Sequence, residues 1–342
     1  MKYFKLGLLA IVAAFAVGCS NEGPLFLIWE KGKLGYADVS GKTVIAPAFE
    51  QSGPFNEGLA VVVKDGKVGF IDKSGKVVVA PVYQNAGKFS EGLATVVKEG
   101  LTGYIDKRGT LVIAPHWDHA APFADGLAVV VKDGKFGFID KSGKVVIAAQ
   151  FDLAAPFSEG LALVVKDNLG GFIDKSGKVV IPLTYSYATP FSEGLALVQK
   201  DGANYFIDKS EKKPFEPKFD SAEPFSGGVA LIGVQNKIGY INAKGEIVVA
   251  PTFEYARSFK EGLAVAIQDG KVGFINPKGD FVIKPQFENA EDFSGGLALV
   301  MMGANYGYVN AQGKVVWQRS PSELPILESA ANLENSREPA AP

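Results

Sequence analysis

The chain has 342 residues, 47% of them hydrophobic, and its 35 Lys and Arg nearly balance its 37 Asp and Glu, which gives a net charge of -2. A balance this close to zero argues against the basic surface that nucleic-acid binding requires, so no nucleic-acid partner is expected. Cys19 is the one cysteine in the sequence, which excludes a fold stapled by disulfides within the chain.

The N-terminal residues 1–18 are predicted to be an export signal rather than part of the fold. Lys2 and Lys5 give the segment a positive start, and an apolar run of twelve residues extends from Leu6 to Val17. This run is shorter than the ~20 residues that span a bilayer, and it is typical of a cleaved signal peptide.

The four residues Ala-Val-Gly-Cys that end at Cys19 resemble a bacterial lipobox. The resemblance implies that the chain is cut before Cys19, that its thiol carries a lipid anchored in a membrane, and that residues 19–24 form a short linker. Ser20 stands where an Asp would signal inner-membrane retention, so the expected location is the outer membrane of a Gram-negative cell envelope. The alternative is an ordinary signal peptide with an incidental cysteine.

A repeat of 34 residues runs from Leu25 to Trp317 and makes nine units. A hairpin phrase close to G-[FY]-I-[DN]-x-x-G-K recurs in these units, and a phrase of the form F-x-E-G-L-A recurs eight times, with its Phe at positions 55, 89, 123, 157, 191, 225, 259 and 293. A fixed period of this kind predicts a repeat architecture in which each unit buries its apolar face against its neighbours.

Each unit is predicted to be a three-stranded antiparallel meander. In the second unit, the β-branched run 59–63 is joined by Asp65-Gly66 to a second strand, 68–72, and Asp-Gly between two such runs favours a type I′ hairpin turn. A turn opened by Asp72 leads to a third strand, which Pro81 ends because it cannot donate to a ladder. Residues 82–92 are expected to be an irregular connector.

Three aromatic columns recur with the repeat, and they are expected to pack adjacent units together. They comprise the Phe of F-x-E-G, a mid-hairpin column that includes Phe70, and a connector column that includes Tyr83. A stacked aromatic platform for sugar is the alternative. The sixth unit departs most from the pattern: Tyr205 replaces the hairpin glycine, Glu211 replaces the turn glycine, and Pro214 falls inside the third strand, so local loosening is expected there.

Two connector columns vary freely between units and are the candidate binding surface, because invariant columns serve the architecture. The first column is Gln51, Asn85, His119, Leu153, Tyr187, Ser221, Tyr255 and Asn289, and the second is Gly53, Gly87, Ala121, Ala155, Thr189, Glu223, Arg257 and Glu291. From these we select Asn85, His119, Tyr187, Tyr255 and Arg257 as candidate binding residues.

No catalytic constellation, metal site or cofactor is expected. His116 and His119 are the two histidines, and with Asp118 they fall short of a closed zinc shell. The Asp that recurs at a turn in nearly every unit is expected to cap that turn, since general acid–base catalysis needs two groups in different environments.

Residues 318–342, rich in Ser, Pro, Glu, Asn and Ala, are predicted to be a disordered tail.

The two recurring phrases resemble those of the WG-repeat (KWG-repeat) proteins of bacteria over residues 25–317. The chain lacks the Trp that gives the family its name. The residue before the hairpin Gly is, for example, Leu34, Val68 or Phe136, and it is never Trp. The resemblance implies an envelope or secreted repeat protein without shared catalytic residues.

The all-β units could stack as an open curved or superhelical solenoid, or close into a β-propeller-like ring. Typical propellers have roughly four to eight blades of four strands, and they usually share one blade between their termini. This chain begins and ends on whole units, so we expect the solenoid, with the ring as the alternative.

The predicted function is a non-catalytic, envelope-tethered lipoprotein whose repeats bind a protein partner. A surface that binds glycan or peptidoglycan is the alternative.

Overall fold

The computed structural model describes residues 23–319, and these form nine antiparallel sheets, one for each repeat unit. The predicted signal, Cys19 and nearly all of the predicted tail lie outside the described residues. Within 23–319 no helix is long and apolar enough to cross a membrane.

The strands of the first three sheets are β1 (Leu25–Glu30), β2 (Lys33–Asp38), β3 (Thr43–Phe49), β4 (Gln51–Ser52), β5 (Leu59–Lys64), β6 (Lys67–Asp72), β7 (Val77–Tyr83), β8 (Asn85–Ala86), β9 (Leu93–Lys98), β10 (Leu101–Asp106) and β11 (Leu111–Trp117). The next three sheets comprise β12 (His119–Ala120), β13 (Leu127–Lys132), β14 (Lys135–Asp140), β15 (Val145–Phe151), β16 (Leu153–Ala154), β17 (Ala162–Lys166), β18 (Leu169–Ile173), β19 (Val179–Tyr185), β20 (Tyr187–Ala188), β21 (Leu195–Lys200) and β22 (Ala203–Asp208). The last three comprise β23 (Ser221–Ala222), β24 (Val229–Val234), β25 (Lys237–Asn242), β26 (Ile247–Phe253), β27 (Tyr255–Ala256), β28 (Ala264–Gln268), β29 (Lys271–Ile275), β30 (Phe281–Phe287), β31 (Asn289–Ala290), β32 (Leu297–Met302), β33 (Asn305–Asn310) and β34 (Val315–Gln318).

The predicted hairpin and the meander of three long strands are confirmed in the second sheet, but β7 continues through Pro81 to Tyr83, so the predicted end of the third strand at Pro81 is wrong. Strand β5 pairs with β6 from Leu59↔Asp72 to Lys64↔Lys67, and β6 pairs with β7. The two turn residues Asp65 and Gly66 have φ of 51° and 67°, the left-handed values that a type I′ turn requires.

The connector is not wholly irregular, so the prediction of three strands per unit is wrong for most sheets. In the second sheet a two-residue strand, β4, pairs with β5 through Gln51↔Val63 and Ser52↔Val62, which gives the order β4-β5-β6-β7. Two residues are too few to show an alternating pattern, and this is why the sequence conceals the fourth strand. We call the two-residue elements the short strands.

Consecutive sheets pack face to face, as the aromatic columns predict. Each of the eight hydrophobic clusters found in the described residues draws on two consecutive units; one joins Leu59, Phe70 and Val79 to Phe89 and Ile105 of the next unit. Phe70 is fully buried, and its ring centroid lies 4.9 Å from that of Phe89. Burying one such side chain contributes roughly 1.5–3 kcal/mol, so these rings dominate the contact between units.

The hairpin glycine is required by a bulge in the third long strand. The register between β6 and β7 shifts between Val68↔Tyr83 and Phe70↔Val79, and this brings the β7 backbone onto Gly69. A Cβ at Gly69 would lie 2.5 Å from the carbonyl oxygen of Val79 and 2.7 Å from the nitrogen of Pro81. Only glycine fits against backbone this close.

The last sheet packs on the first, so the array closes into a ring. The rings of Phe26 and Tyr308 are 5.4 Å apart and those of Trp29 and Trp317 are 5.0 Å apart. Gly41 of the first sheet also lies against Val316 and Trp317 of the last, as its counterpart Gly75 packs on Ile45 between sheets one and two. The nine sheets of the described chain are therefore the blades of a β-propeller, numbered blade 1 to blade 9 in chain order.

The expected open solenoid is therefore wrong, and the alternative, the ring, is correct. The physical reason is that side chains, and not a shared strand, close the ring. Strand β1 pairs with β2 and β34 pairs with β33, so the described termini exchange no strand. A chain that begins and ends on whole units is thus compatible with closure. The last blade also extends to Arg319, whose N–H donates to the carbonyl of Tyr306 over 2.9 Å, beyond the predicted end of the array at residue 317.

The sixth blade lacks its third long strand, in the region where loosening was expected. Its order is β20-β21-β22, and the residues that follow, all of them described up to Asp220, form no strand before β23. Tyr205 occupies the position of Gly69, so its side chain stands where the third strand would otherwise approach β22.

Candidate functional site

The short strands carry both variable columns of the sequence. Residues of the first column begin each short strand, and residues of the second column follow it directly, so strand alternation directs the two columns to the same side. The backbone N–H of the second-column residue Arg257 still donates to Val265 over 3.0 Å, which extends the pairing by one residue. In blades 2 to 9, each of which has a short strand, this edge is a regular scaffold with interchangeable side chains.

The five candidate residues lie on four different blades. Asn85, His119, Tyr187 and Tyr255 begin the short strands of blades 3, 4, 6 and 8, and Arg257 follows Tyr255. Tyr187 and Tyr255 are 42% and 45% exposed, whereas Asn85 and His119 are half-buried. The structure brings Tyr255 and Arg257 together: Nε of Arg257 donates to the Tyr255 hydroxyl over 3.1 Å.

Arg257 is the centre of a polar network that spans three blades. Its Nη1 donates to Oε2 of Glu291 over 3.3 Å and lies 3.5 Å from Oδ1 of Asp292, both in blade 9. Ser258 donates its hydroxyl to Oε2 of Glu223 of blade 7 over 2.7 Å. We call Glu223, Tyr255, Arg257, Ser258, Glu291 and Asp292 the Arg257 network.

The fold supports this network from beneath. The hydroxyl of Tyr240 donates to the carbonyl of Arg257 over 2.7 Å and so fixes the backbone at that residue. Burial raises the pKa of Tyr240 well above its usual value, and the carboxylates of Glu223 and Asp292 raise it further, so the hydroxyl keeps its proton and remains a donor.

Ser258 and Asp292 were missed by the sequence analysis. The position they share holds proline in most other units, as in Pro54 and Pro122. The signal that could have identified them was the loss of that proline in two successive units, next to a column that becomes charged in the same units.

The remaining recurrent carboxylates serve the architecture. Oδ1 of Asp140 accepts the hydroxyl of Ser142 over 2.6 Å and the backbone N–H groups of Ser142 and Lys144 over 2.9 and 3.1 Å. The Ser142 hydroxyl and these N–H groups hold the pKa of Asp140 below its usual value. The predicted turn-capping role of this column is confirmed.

The Glu of F-x-E-G joins successive blades. Glu57 has a φ of 49°, and its carboxylate accepts the N–H of Gly92 over 3.0 Å and lies 3.0 Å from Nζ of Lys107 in the next blade. Burial alone would raise the pKa of Glu57, but the bonds from Lys107 and Gly92 outweigh it and lower the pKa. A left-handed Glu is strained, and its repetition is explained by this contact between blades.

The histidines do not form a metal centre with neighbouring acids. Nδ1 of His116 lies 2.9 Å from the carbonyl oxygen of Ala114, and the ring packs 4.4 Å from that of Trp117. Within the residues that the structure describes, no group of three His, Cys, Asp or Glu side chains is arranged to hold a metal ion.

An open pocket of about 430 Å³ lies on blade 8, away from the Arg257 network. It is lined by the hairpin tip and the third long strand, namely Gln268, Asp269, Lys271, Phe281, Lys284 and Pro285.

A family model described as "WG containing repeat" matches residues 35–67, 69–101, 103–136, 136–169, 171–202, 206–237, 238–271 and 273–306. The chain belongs to the WG-repeat family. In this WG-repeat protein the match covers most of the described ring, and the family resemblance noted in the sequence is confirmed. Among curated proteins, none matches the sequence.

Two solved structures were compared with the WG-repeat ring, and the first supports its fold. A eukaryotic initiation factor is similar with a TM-score of 0.59 at 10% identity, covering 87% of this chain and 96% of that one. PorZ, an essential bacterial surface component of the type-IX secretion system of Porphyromonas gingivalis, has a TM-score of 0.35 at 11% identity, covering 88% of this chain and 51% of that one. At 10% identity, the similarity to the initiation factor shows a shared fold and nothing more.

Proposed function

We propose that this WG-repeat propeller is a non-catalytic binding module, tethered to the cell envelope through a lipid on Cys19, that holds a protein partner. The lipobox resemblance supports the tether and the outer-membrane location. The F-x-E-G carboxylates join successive blades and the turn Asp column caps turns within blades, and these structural contacts support a binding rather than a catalytic role.

The observation that carries the proposal is a set of exposed aliphatic side chains on the third long strands, which are terminal in their sheets. We call this set the terminal-strand band; its members are Val77, Val82, Leu111, Val112, Val145, Val146, Val179, Val180, Ile247, Val248, Val282 and Val315. Ile247 is 56% exposed and Val179 48%. Contiguous exposed apolar surface marks protein contact sites, and the recurrence of these side chains on the terminal strands of successive blades supports such a surface.

The terminal strands are protected against simple strand addition, so the partner contacts their side chains. The register shift opposite Phe70 and the proline at position 81 interrupt the outer edge of β7, and equivalent shifts recur in other blades. This arrangement favours specific docking over aggregation.

The test is in-cell crosslinking of the intact lipoprotein, followed by mass spectrometry of what co-purifies. The double variant Val145→Asp/Val179→Asp places charges in the band, and Gln150→Asp, at an exposed position of the same strand β15, is the matched control. We expect one envelope protein to be enriched with the wild type and Gln150→Asp, and to be lost with the double variant. Cys19→Ala tests the tether. Equal capture by all variants, or no captured protein, would contradict the proposal.

A second candidate function is glycan binding at the short strands. The observation that favours it is the exposure of Tyr187 and Tyr255 beside polar side chains on one edge of the ring. Exposed aromatic faces with a few placed hydrogen-bonding groups are typical of sites for small polar ligands.

A further inference from the structure

Five of the six members of the Arg257 network, all except Tyr255, depart together from the residues that the repeat otherwise uses. In blades 2 to 6 the second variable column is small, as in Gly53 and Ala121, and proline follows it in most units. In blades 7, 8 and 9 the column becomes Glu223, Arg257 and Glu291. Since five other copies fold with small residues here, the fold itself does not require these charges.

These departures touch one another across blade boundaries. Glu223 of blade 7 accepts from Ser258 of blade 8, and Arg257 of blade 8 bonds Glu291 of blade 9. Positions 34 residues apart in sequence thus form one continuous surface. Five independent changes scattered over the ring would not meet in this way.

The network holds its groups in fixed positions while leaving them accessible. The guanidinium of Arg257 is contacted by the Tyr255 hydroxyl and by the carboxylates of Glu291 and Asp292, so its plane is set before a ligand arrives. The Arg257 side chain is still 29% exposed and that of Glu291 64%. Preorganised, accessible donors and acceptors reduce the entropy that a ligand must lose on binding.

The chemistry suits an uncharged polyhydroxylated ring. Vicinal hydroxyls of a sugar can donate to the open oxygens of Glu223 and Glu291 and accept from Arg257, and the apolar face of the sugar can lie on the exposed ring of Tyr255. An anionic ligand is disfavoured, because the carboxylates of Glu291 and Asp292 already contact the single guanidinium and that of Glu223 lies in the same network.

We infer that Tyr255, Arg257, Glu223 and Glu291 form a saccharide subsite on blades 7 to 9 that takes an uncharged sugar. This inference rests on the second candidate function, glycan binding, and confines it to one sector of the ring. Tyr187, on blade 6, lies outside the subsite.

The test is a titration of the intact protein with uncharged chito-, cello- and malto-oligosaccharides, with oligogalacturonate and tetralysine as charged comparisons. Tyr255→Ala should weaken saccharide binding about two- to tenfold through lost ring contact. Arg257→Lys, which keeps the charge but not the planar fork, should weaken it about tenfold or more. Gln51→Ala, at the same register position in blade 2, and Tyr187→Ala are controls that should bind normally, and circular dichroism checks that each variant folds.

The outcomes distinguish the blade 7–9 subsite from glycan binding elsewhere on the ring. Uncharged saccharide binding that is lost with Tyr255→Ala and Arg257→Lys supports the subsite. Saccharide binding that is lost with Tyr187→Ala instead overturns the subsite and leaves glycan binding standing. No saccharide binding overturns both and leaves the protein-partner proposal intact. Tetralysine binding that disappears in Glu223→Gln/Glu291→Gln would show a basic-peptide site and would also overturn the inference.

Discussion

Blades 4 and 6 begin alike and end differently. In both, two long strands pair in the same register, from Leu127↔Asp140 in one and from Leu195↔Asp208 in the other. Blade 4 then adds β15, whereas blade 6 has no third long strand between Asp208 and Ser221. A Cβ at Gly137 in blade 4 would lie 2.6 Å from the nitrogen of Ala149. Tyr205 carries such a Cβ at the equivalent position of blade 6.

The packing between blades survives where the strand pairing does not. Phe215 lies against Gly245 of the next blade, as Ile147 lies against Gly177. Phe215 is also 5.9 Å from Phe206, and Lys213 stacks on Tyr205 at 3.8 Å. Larger side chains therefore fill the place of the lost strand. The comparison teaches that strand pairing within a blade and contact between blades are separately encoded.

The largest expected effect comes from giving blade 4 the residue of blade 6. Gly137→Tyr should expel β15, because the side chain would overlap backbone, and we expect it to lower the free energy of unfolding by about 4 kcal/mol or more. Urea denaturation measures this. Tyr205→Phe in blade 6 is the control and should cost less than about 1 kcal/mol. A Gly137→Tyr variant as stable as the wild type would refute the role of this glycine.

The contact between blades should be equally strong at both places. Phe138 and Phe157 have ring centroids 4.9 Å apart, and so have Phe206 and Phe225. Phe157→Ala and Phe225→Ala should each cost about 3–5 kcal/mol, the usual range for emptying a buried aromatic site. A much smaller cost for Phe225→Ala, measured by the same denaturation, would mean that blade 6 is loose throughout.

Hydrogen-exchange rates should distinguish blade 6 from blades 4 and 7 in the unsubstituted protein. Between residues 213 and 219 the backbone amides, absent at Pro214 and Pro217, lack strand partners, so they should exchange faster than those of β15 in blade 4 and β26 in blade 7. Amides of β21 and β22 should match their counterparts in the other blades. Equal protection of all third-strand segments would contradict the structural difference.

The smallest expected change in stability comes from the turn of Asp140 and Ser142, which precedes the third long strand of blade 4. The folded-state pKa of Asp140 is lowered, so its ionised form contributes stability above its unfolded pKa, and this stability is lost as the pH falls through the folded value. Ser142→Ala removes one donor and should lower the urea midpoint slightly near neutral pH. Below the folded pKa of Asp140 the difference from wild type should vanish, and a difference that grows with acidity would have the wrong sign.

Much of the blade could be predicted from local sequence, because its signals are strong and repeated. Asp65-Gly66 identified the hairpin, and the aromatic columns identified the contact between units. The loss of glycine at Tyr205 identified the weak sixth unit. The short strands were not predicted because two residues have no pattern, and the closed ring was not predicted because Trp29 and Trp317 lie about 290 residues apart in sequence and meet only in the fold.

The candidate site was predicted only in part, because contacts between blades are visible only in the fold. The variable columns gave Tyr255 and Arg257, which the structure joins by a hydrogen bond. Asn85, His119 and Tyr187 came from the same column but lie on other blades. Spacing along one chain cannot show that Glu223, Arg257 and Glu291 form a single surface, because that depends on how neighbouring blades are rotated against each other.

The seam between blades 9 and 1 determines where the rest of the chain leaves the ring. Gly23 accepts a bond from Lys73, Pro24 packs near Gly295, and Arg319 lies 5.5 Å from the ring of Trp29. The segments before and after the ring are therefore attached at a single boundary. A circularly permuted chain, cut in any hairpin and rejoined by a short linker across this seam, should form the same nine blades while moving the attachment point around the rim.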